Sequence, residues 1–231
     1  MNQRLRSVDY EPDGQPSLYF AWESDLTAAV TAPLAVRSSN YRDAVADMLS
    51  PHLRQGAALL SVGAGNGFVE VTLMNRGWYV TATDRTADSL VHCQAKGLQT
   101  ARLDLLLDPP FGQFDAVYCD GVLGHLWEAE RGTTAAWLAL ATHVRPAGVC
   151  LTSNDLADDD GNGPCFRVRS DPDAGFYRPP AGWFAREAEG TGQWAQEADH
   201  LYCYERGGEW RRRELVLMRL LVNDRVIPEH G

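Results

Sequence analysis

The chain has 231 residues, 45% hydrophobic and 23% charged, a composition that suits one α/β domain with a sizeable core and excludes a disordered chain. Its net charge of −10 argues against a nucleic-acid partner, because binding phosphates needs a basic surface. No apolar run is long enough to span a bilayer, residues 1–6 lack the apolar core of a signal peptide, and no C-x-x-C pair links the five scattered cysteines. These features point to a cytoplasmic protein with reduced thiols.

Residues 1–40 are polar and aromatic by turns, with loops marked at Pro12, Asp13-Gly14 and Pro16 and a compact apolar cluster at residues 18–22. From Tyr41 the spacing becomes helical: Tyr41, Ala44, Val45, Met48 and Leu49 share one face, and Pro51 follows near the end. A βαβ rhythm then begins. Residues 58–62 form a short apolar strand, followed by a glycine turn and a helix that runs through Met74 and stops at Gly77. Residues 78–83 are strand-like and lead to Asp84, a helix covers 86–95, and a short strand at 100–103 precedes Asp104. Asp108-Pro109-Pro110 breaks the chain before a strand at 114–119. Residues 123–143 read as mainly helical, 145–148 as a turn, and 149–153 as a fifth strand.

Alternating strands and helices imply parallel strands with right-handed crossovers. The last third departs from that rhythm. Residues 157–180 are loop-rich, 181–190 helical, and 201–206 with 214–222 form two strands whose connection holds Gly207-Gly208, as in an antiparallel hairpin. Arg211-Arg212-Arg213, the only basic run, lies in this region and reads as a solvated strand, since alternate arginines face opposite sides.

The strongest local signal is Val62-Gly63-Ala64-Gly65-Asn66-Gly67, directly after the first parallel strand. Its glycines allow a sharp turn and close approach of a ligand. A dinucleotide fingerprint would be G-x-G-x-x-G, but Phe68 stands where its last glycine belongs and no phosphate-binding lysine follows. A cofactor whose amino-acid end lies over the loop suits these residues better than a nicotinamide dinucleotide. Asp84, Asp104 and Asp120 end the second, third and fourth strands, where open α/β sheets bind ligands. There Asp84 can accept the hydroxyls of an adenosine ribose, and Asp104 with the following backbone N–H can meet the adenine.

These segments, with Phe114-Asp115-Ala116-Val117 and Arg145-Pro146-Ala147-Gly148, resemble the successive motifs of class I S-adenosylmethionine-dependent methyltransferases of the small-molecule type. The resemblance covers residues 41–155 in motif and the hairpin in pattern. It implies a Rossmann-like, doubly wound seven-stranded sheet with helices on both faces, in which the hairpin inserts the last strand antiparallel between two others. It also implies S-adenosylmethionine as cofactor, with Gly63, Ala64, Gly65, Asn66 and Gly67 at the methionine part, Asp84 and Arg85 at the ribose, Asp104 and Leu105 at the adenine, and Asp120 and Gly121 beside them. One domain then divides into an N-terminal lid and acceptor segment (1–40), a cofactor core (41–155) and an acceptor-side insertion with the hairpin (156–231).

His125, just beyond the fourth strand, has two readings: a ring packed beneath the cofactor, or a general base for the acceptor. The other five histidines read as surface residues. Asn154-Asp155 closes the fifth strand opposite Asp120. Metal-dependent catechol-type O-methyltransferases carry an Asp after the fourth strand and an Asp-Asn pair after the fifth. The reversed order here favours strand capping over metal ligation, so no metal is expected. Tyr19, Trp22, Phe176 and Tyr177, with Asn154 and Asp155, are the candidate acceptor contacts, and Asp158-Asp159-Asp160 forms an acidic loop suited to a cationic acceptor. The expected function is methylation of a small molecule, an amine in preference to a hydroxyl, with no nucleic-acid or membrane partner. Metal-dependent O-methylation and non-catalytic binding of S-adenosylmethionine are the alternatives.

Overall fold

In the computed structural model, residues 18–24, 32–157, 165–167, 176–206 and 208–222 are described. In chain order the elements are α1 (Leu18–Ser24), α2 (Leu34–Arg37), α3 (Ser39–Leu49), β1 (Ala58–Val62), α4 (Phe68–Asn75), β2 (Tyr79–Asp84), α5 (Ala87–Ala95), β3 (Gln99–Arg102), β4 (Phe114–Asp120), α6 (Thr134–His143) and β5 (Val144–Asp155). The last third adds β6 (Cys165–Arg167), β7 (Phe176–Arg178), α7 (Trp183–Gly190), β8 (Trp194–Arg206) and β9 (Glu209–Leu220). The main sheet has seven strands in the order β3-β2-β1-β4-β5-β9-β8, the first five parallel and β9 antiparallel between β5 and β8. This is the architecture that the motif resemblance implies, including the inserted last strand.

Strand alternation sorts the core into two layers. Leu59, Ala116, Tyr118, Leu151 and Leu217 face α3 and α4, where they meet Tyr41, Val45, Leu49, Val69 and Leu73. Their neighbours Leu60, Val117, Cys119, Cys150 and Val216 face the opposite layer, with Trp137 and Leu140 of α6 and Phe184 and Ala188 of α7. Helices on both faces make every central strand apolar on both sides. That explains the continuous apolar runs in the sequence. The Ser38 side chain caps α3 by accepting the Tyr41 N–H at 3.1 Å, which fixes where Tyr41 enters the core.

Several local expectations change. Residues 123–143 are not one helix: a 3₁₀ turn covers Leu123–His125, an isolated bridge joins Glu128 to Gly132, and only then does α6 begin. The turn expected at 145–148 lies inside β5, where the β4–β5 register shifts and Ala147 takes φ +61°. The loop-rich stretch carries a small antiparallel sheet, β6 with β7. Both hairpin strands begin earlier than the sequence pattern suggests, because their pairing with each other and with β5 extends the strands past the alternating segment.

His143 is not a surface residue. It is 1% exposed, its ring 5.8 Å from that of Phe111, and burial lowers its pKa against the opposing hydrogen bond with the Gly112 backbone. Cys93, Cys119 and Cys150 are buried and Cys203 is exposed; all four are free thiols. No helix among the described residues is long and apolar enough to cross a membrane.

Candidate functional site

The carboxyl ends of β1, β2, β4 and β5 open onto one cavity of about 520 Å³, the ordinary ligand position of an open α/β sheet. It contains the expected cofactor set of Gly63, Ala64, Gly65, Asn66, Gly67, Asp84, Arg85, Asp104, Leu105, Asp120 and Gly121. It also contains His125, Tyr19, Trp22, Asn154, Asp155 and Tyr177. Phe176 lies in β7, but its side chain is outside the described residues, as is the acidic loop at 158–160.

The glycine loop is held by contacts no larger residue permits. At Gly63, φ is +73° and a Cβ would fall 2.2 Å from Val122 Cγ2, so the backbone passes directly against the β4 loop. Gly67, also left-handed, would place a Cβ 2.9 Å from both Cys93 Sγ and Leu98 Cδ1. Gly67 therefore supplies the close approach to α5 that the dinucleotide fingerprint assigns to a later glycine. Phe68 obstructs nothing: its half-buried ring sits under the Lys96 ammonium, 4.6 Å from the ring centre, and the Arg42 guanidinium. Helix α1 docks on this loop, since Asn66 Nδ2 donates to the Tyr19 carbonyl at 2.9 Å and to Glu23 at 2.6 Å. Lys96, the only lysine in the chain, pairs with the same Glu23 carboxylate at 2.7 Å.

Asp84 is 7% exposed and ties β2 to the loop. Its Oδ1 accepts from the Thr86 N–H and hydroxyl, and its Oδ2 accepts from the Gly65 N–H at 3.1 Å. Ser89 Oγ lies 2.9 Å from that Oδ2 and 2.6 Å from the Gly65 carbonyl, and its single proton serves one of them. Oδ2 thus keeps room for another donor. Asp104 folds its own turn, accepting the Leu106 N–H at 3.2 Å while its N–H donates to Asp108.

Asp120 and Asp155 are joined by Arg213. The guanidinium donates through Nη2 to Asp120, through Nη1 to Asp155 at 3.0 Å and through Nε to Ser153 at 2.7 Å. Asp120 Oδ2 also accepts from the Tyr41 and Tyr118 hydroxyls, and Tyr204 donates to Asp155 at 2.8 Å. Burial would raise the Asp155 carboxyl, but Arg213 and Arg178 outweigh it and hold its pKa below the ordinary value. Burial would likewise lower the Arg213 guanidinium, and Asp120, Tyr41 and Asp155 keep it well above its ordinary range. The reading of residues 211–213 as a solvated strand is therefore wrong for Arg213, which is 8% exposed. A hard cation would have to displace that guanidinium to reach both carboxylates. No group of three His, Cys, Asp or Glu suited to a metal occurs among the described residues.

His125 sits at the end of the 3₁₀ turn, where its N–H donates to the Val122 carbonyl at 2.9 Å. His125 is exposed and lines the cavity, a position open to both readings, beneath a cofactor or beside an acceptor. Gly124 sets the turn against β7, since a Cβ there would lie 2.5 Å from the Tyr177 carbonyl oxygen. Tyr177 in turn stacks on Trp127 at 4.6 Å and meets the Trp183 edge at 5.0 Å, forming an aromatic wall. Asn154, 4% exposed, has a buried Oδ1 with no hydrogen-bond partner among the described residues.

Sequence reasoning missed Glu70, Arg178, Arg206 and Arg213, all of which line the cavity. Glu70 is 2% exposed and accepts from Ser61 Oγ at 2.6 Å. Burial pushes its pKa up to about 7, only partly offset by hydrogen bonds, with Asp120 and Asp84 adding to the rise. The folded chain therefore retains a proton that the unfolded chain releases from about pH 4.5 upward. Stability should fall by roughly 3 kcal/mol between about pH 4.5 and 7 on this account and then level off. Glu70→Gln should remove that component, measured as the difference between wild-type and variant urea-unfolding free energies across the range. Parallel profiles would refute it.

A family model described as a methyltransferase domain matches residues 60–152. A tabtoxin biosynthesis enzyme of Pseudomonas amygdali pv. tabaci is 29% identical over 150 residues, covering 64% of this chain; the chain spans only 60% of that protein's length. Among solved structures, the 1,6-didemethyltoxoflavin-N1-methyltransferase of Burkholderia thailandensis, with bound 1,6-didemethyltoxoflavin and S-adenosylhomocysteine, superposes with a TM-score of 0.66 at 15% identity, over 88% of this chain and 86% of its own. The N-methyltransferase NodS of Bradyrhizobium japonicum WM9, in complex with S-adenosylhomocysteine, gives 0.63 at 14% identity, over 88% and 96%. The strand order and the solved neighbours show the fold of class I methyltransferases, and residues 60–152 within it are similar to a methyltransferase domain.

Proposed function

We propose that this protein transfers a methyl group from S-adenosylmethionine to an amine nitrogen of a small molecule. The observation that carries the reading is the continuity of one cavity from the glycine loop to the exposed His125 ring. The loop fits the cofactor: at Gly65 a Cβ would meet nothing nearer than the Tyr19 ring at 3.8 Å, and Asp84, Asp88 and Asp104 give this end the negative potential that a sulfonium and an ammonium require. When bound, the cofactor supplies an electrophilic methyl on sulfur. Asp84 would accept a ribose hydroxyl, the Leu105 N–H and Asp104 would meet the adenine, and the loop would orient the methionine end. His125 would take up the proton that the amine gives up on methylation.

An amine is favoured because the Arg213 guanidinium already bridges Asp120 and Asp155, the oxygen ligands that metal-dependent attack by a hydroxyl would use. Both structural neighbours described above bear N-methyltransferase names, which supports the same choice. Calorimetry should show binding of S-adenosylmethionine and S-adenosylhomocysteine but not NAD. Asp84→Ala should weaken binding by about 1.5–3 kcal/mol through lost charge-assisted hydrogen bonds. Isotope-labelled methyl transfer to a library of small amines should give N-methyl products and persist in EDTA. Activity abolished by chelation and restored by magnesium would replace this reading with metal-dependent O-methylation, and cofactor binding without transfer would favour a non-catalytic role.

A further inference from the structure

Glu70 lines the cavity as a buried acid whose charged neighbours are Asp120 and Asp84, both anions. It stands in the first turn of α4, just after the glycine loop, and is 2% exposed. Its hydrogen bond from Ser61 Oγ, at 2.6 Å, comes from a neutral group.

The elements packed around it bring acids, neutral groups and cations engaged elsewhere. Asp84 comes from β2, Asp120 and the Tyr118 phenol from β4, and the Cys93 thiol from α5; burial holds the phenol and the thiol in their protonated forms. Helix α3 supplies the Tyr41 phenol, also raised by burial, while its Arg42 donates to the Ala35 carbonyl at 2.8 Å and its Asp43 and Asp47 pair outward with Arg76. Arg37, the one charge of α2, is exposed. The Arg213 guanidinium is bound to Asp120 and Asp155. A carboxylate buried beside two anions is costly, and a proton removes the cost. That is the physical reason the Glu70 pKa stands at about 7.

A cation brought by a ligand is the other way to remove it. The glycine loop lies between Ser61 and Glu70 in the chain, and the loop and Glu70 line the same cavity. S-adenosylmethionine and S-adenosylhomocysteine both carry an ammonium at the end that the loop would orient. We infer that Glu70 is a proton-exchanging contact for this ammonium: protonated when no cation lies beside it, Glu70 releases its proton to solvent as the ammonium docks, and the carboxylate then pairs with the ammonium. This rests on the methyl-transfer reading above for the identity of the ligand. The Glu70 O–H is the only bond that breaks, and cofactor binding tightens as pH rises.

The experiment is calorimetric titration of the full chain with S-adenosylhomocysteine between about pH 5 and 8, repeated in buffers of different ionisation heat so that released protons are counted. At about pH 6.5 about half a proton or more should be released per ligand, and affinity should rise about tenfold or more from about pH 5 to 7 and then level off. The probe 5′-methylthioadenosine keeps the adenosine and lacks the ammonium, so its binding should release no proton. Glu70→Gln should also release none, approach wild-type affinity at about pH 5 and bind S-adenosylhomocysteine about tenfold or more weakly at about pH 8. Ser61→Ala removes the hydroxyl that favours the ionised carboxyl and should move the levelling-off to higher pH, which keeps the test decisive if Glu70→Gln does not fold. Wild-type binding without proton release overturns the inference, as does release that persists in Glu70→Gln or is equal with 5′-methylthioadenosine, or a levelling-off that Ser61→Ala leaves in place. Failure of the wild type to bind S-adenosylhomocysteine at any pH is a different result, and overturns the methyl-transfer reading itself.

Discussion

Arg213→Met is expected to lower the free energy of unfolding by about 3–5 kcal/mol, because it strands two largely buried carboxylates without the cation between them. Asp120 would keep its tyrosine donors and Asp155 its Tyr204 donor, but hydrogen bonds from neutral hydroxyls do not cancel two like charges brought together. Denaturant unfolding at pH 7 measures the loss. Adding Asp120→Asn and Asp155→Asn to Arg213→Met removes all three charges and should recover most of it, since a neutral set avoids the orphaned ions. A loss below about 1 kcal/mol in the single variant would mean that water screens these groups as it does surface pairs.

His125→Ala is expected to reduce turnover by about 10²–10⁴-fold while leaving cofactor affinity nearly unchanged. The second half follows on the general-base reading. His125 is exposed and the 3₁₀ turn is held by its backbone and by Gly124 against β7, so truncation should not disturb the glycine loop. The acid limb of turnover against pH, where a general base is protonated and inactive, should also be lost in the variant. An amine that enters unprotonated needs less help, so the fall should be smaller with aromatic amines than with alkylamines. A variant that keeps the wild-type pH profile would remove His125 from the reaction. One that weakens S-adenosylhomocysteine binding by the same factor would give it a positioning role instead.

The parallel half of the molecule was legible because its signals are local. Residues 58–62 are the first strand to the residue, and the glycine turn, Asp84 and Asp104 follow their strands within a few positions. Phe68 misled only in part. It does break the dinucleotide fingerprint, but its ring turns outward beneath Lys96 while Gly67 provides the tight packing. The single helix expected over 123–143 failed because Gly124 and Gly132 serve close approaches to β7 and α7 that no periodicity reports. His143 was misplaced for a related reason. An apolar neighbour from another loop, Phe111, covers it.

The sequence by itself determined the doubly wound core, the ligand end of the sheet and the glycine loop, since each follows from alternation, strand–helix order and the backbone freedom of glycine. Tertiary structure alone decided the electrostatics of the other end. Asp120 and Arg213 are 93 positions apart, and Asp155 and Arg213 are 58 apart. They meet only because β9 inserts antiparallel beside β5 in a register that sets Arg213 opposite Asp155. A charge read along the chain has water as its surroundings. The same charge in a central strand has whichever neighbours the register supplies, and here these are two carboxylates.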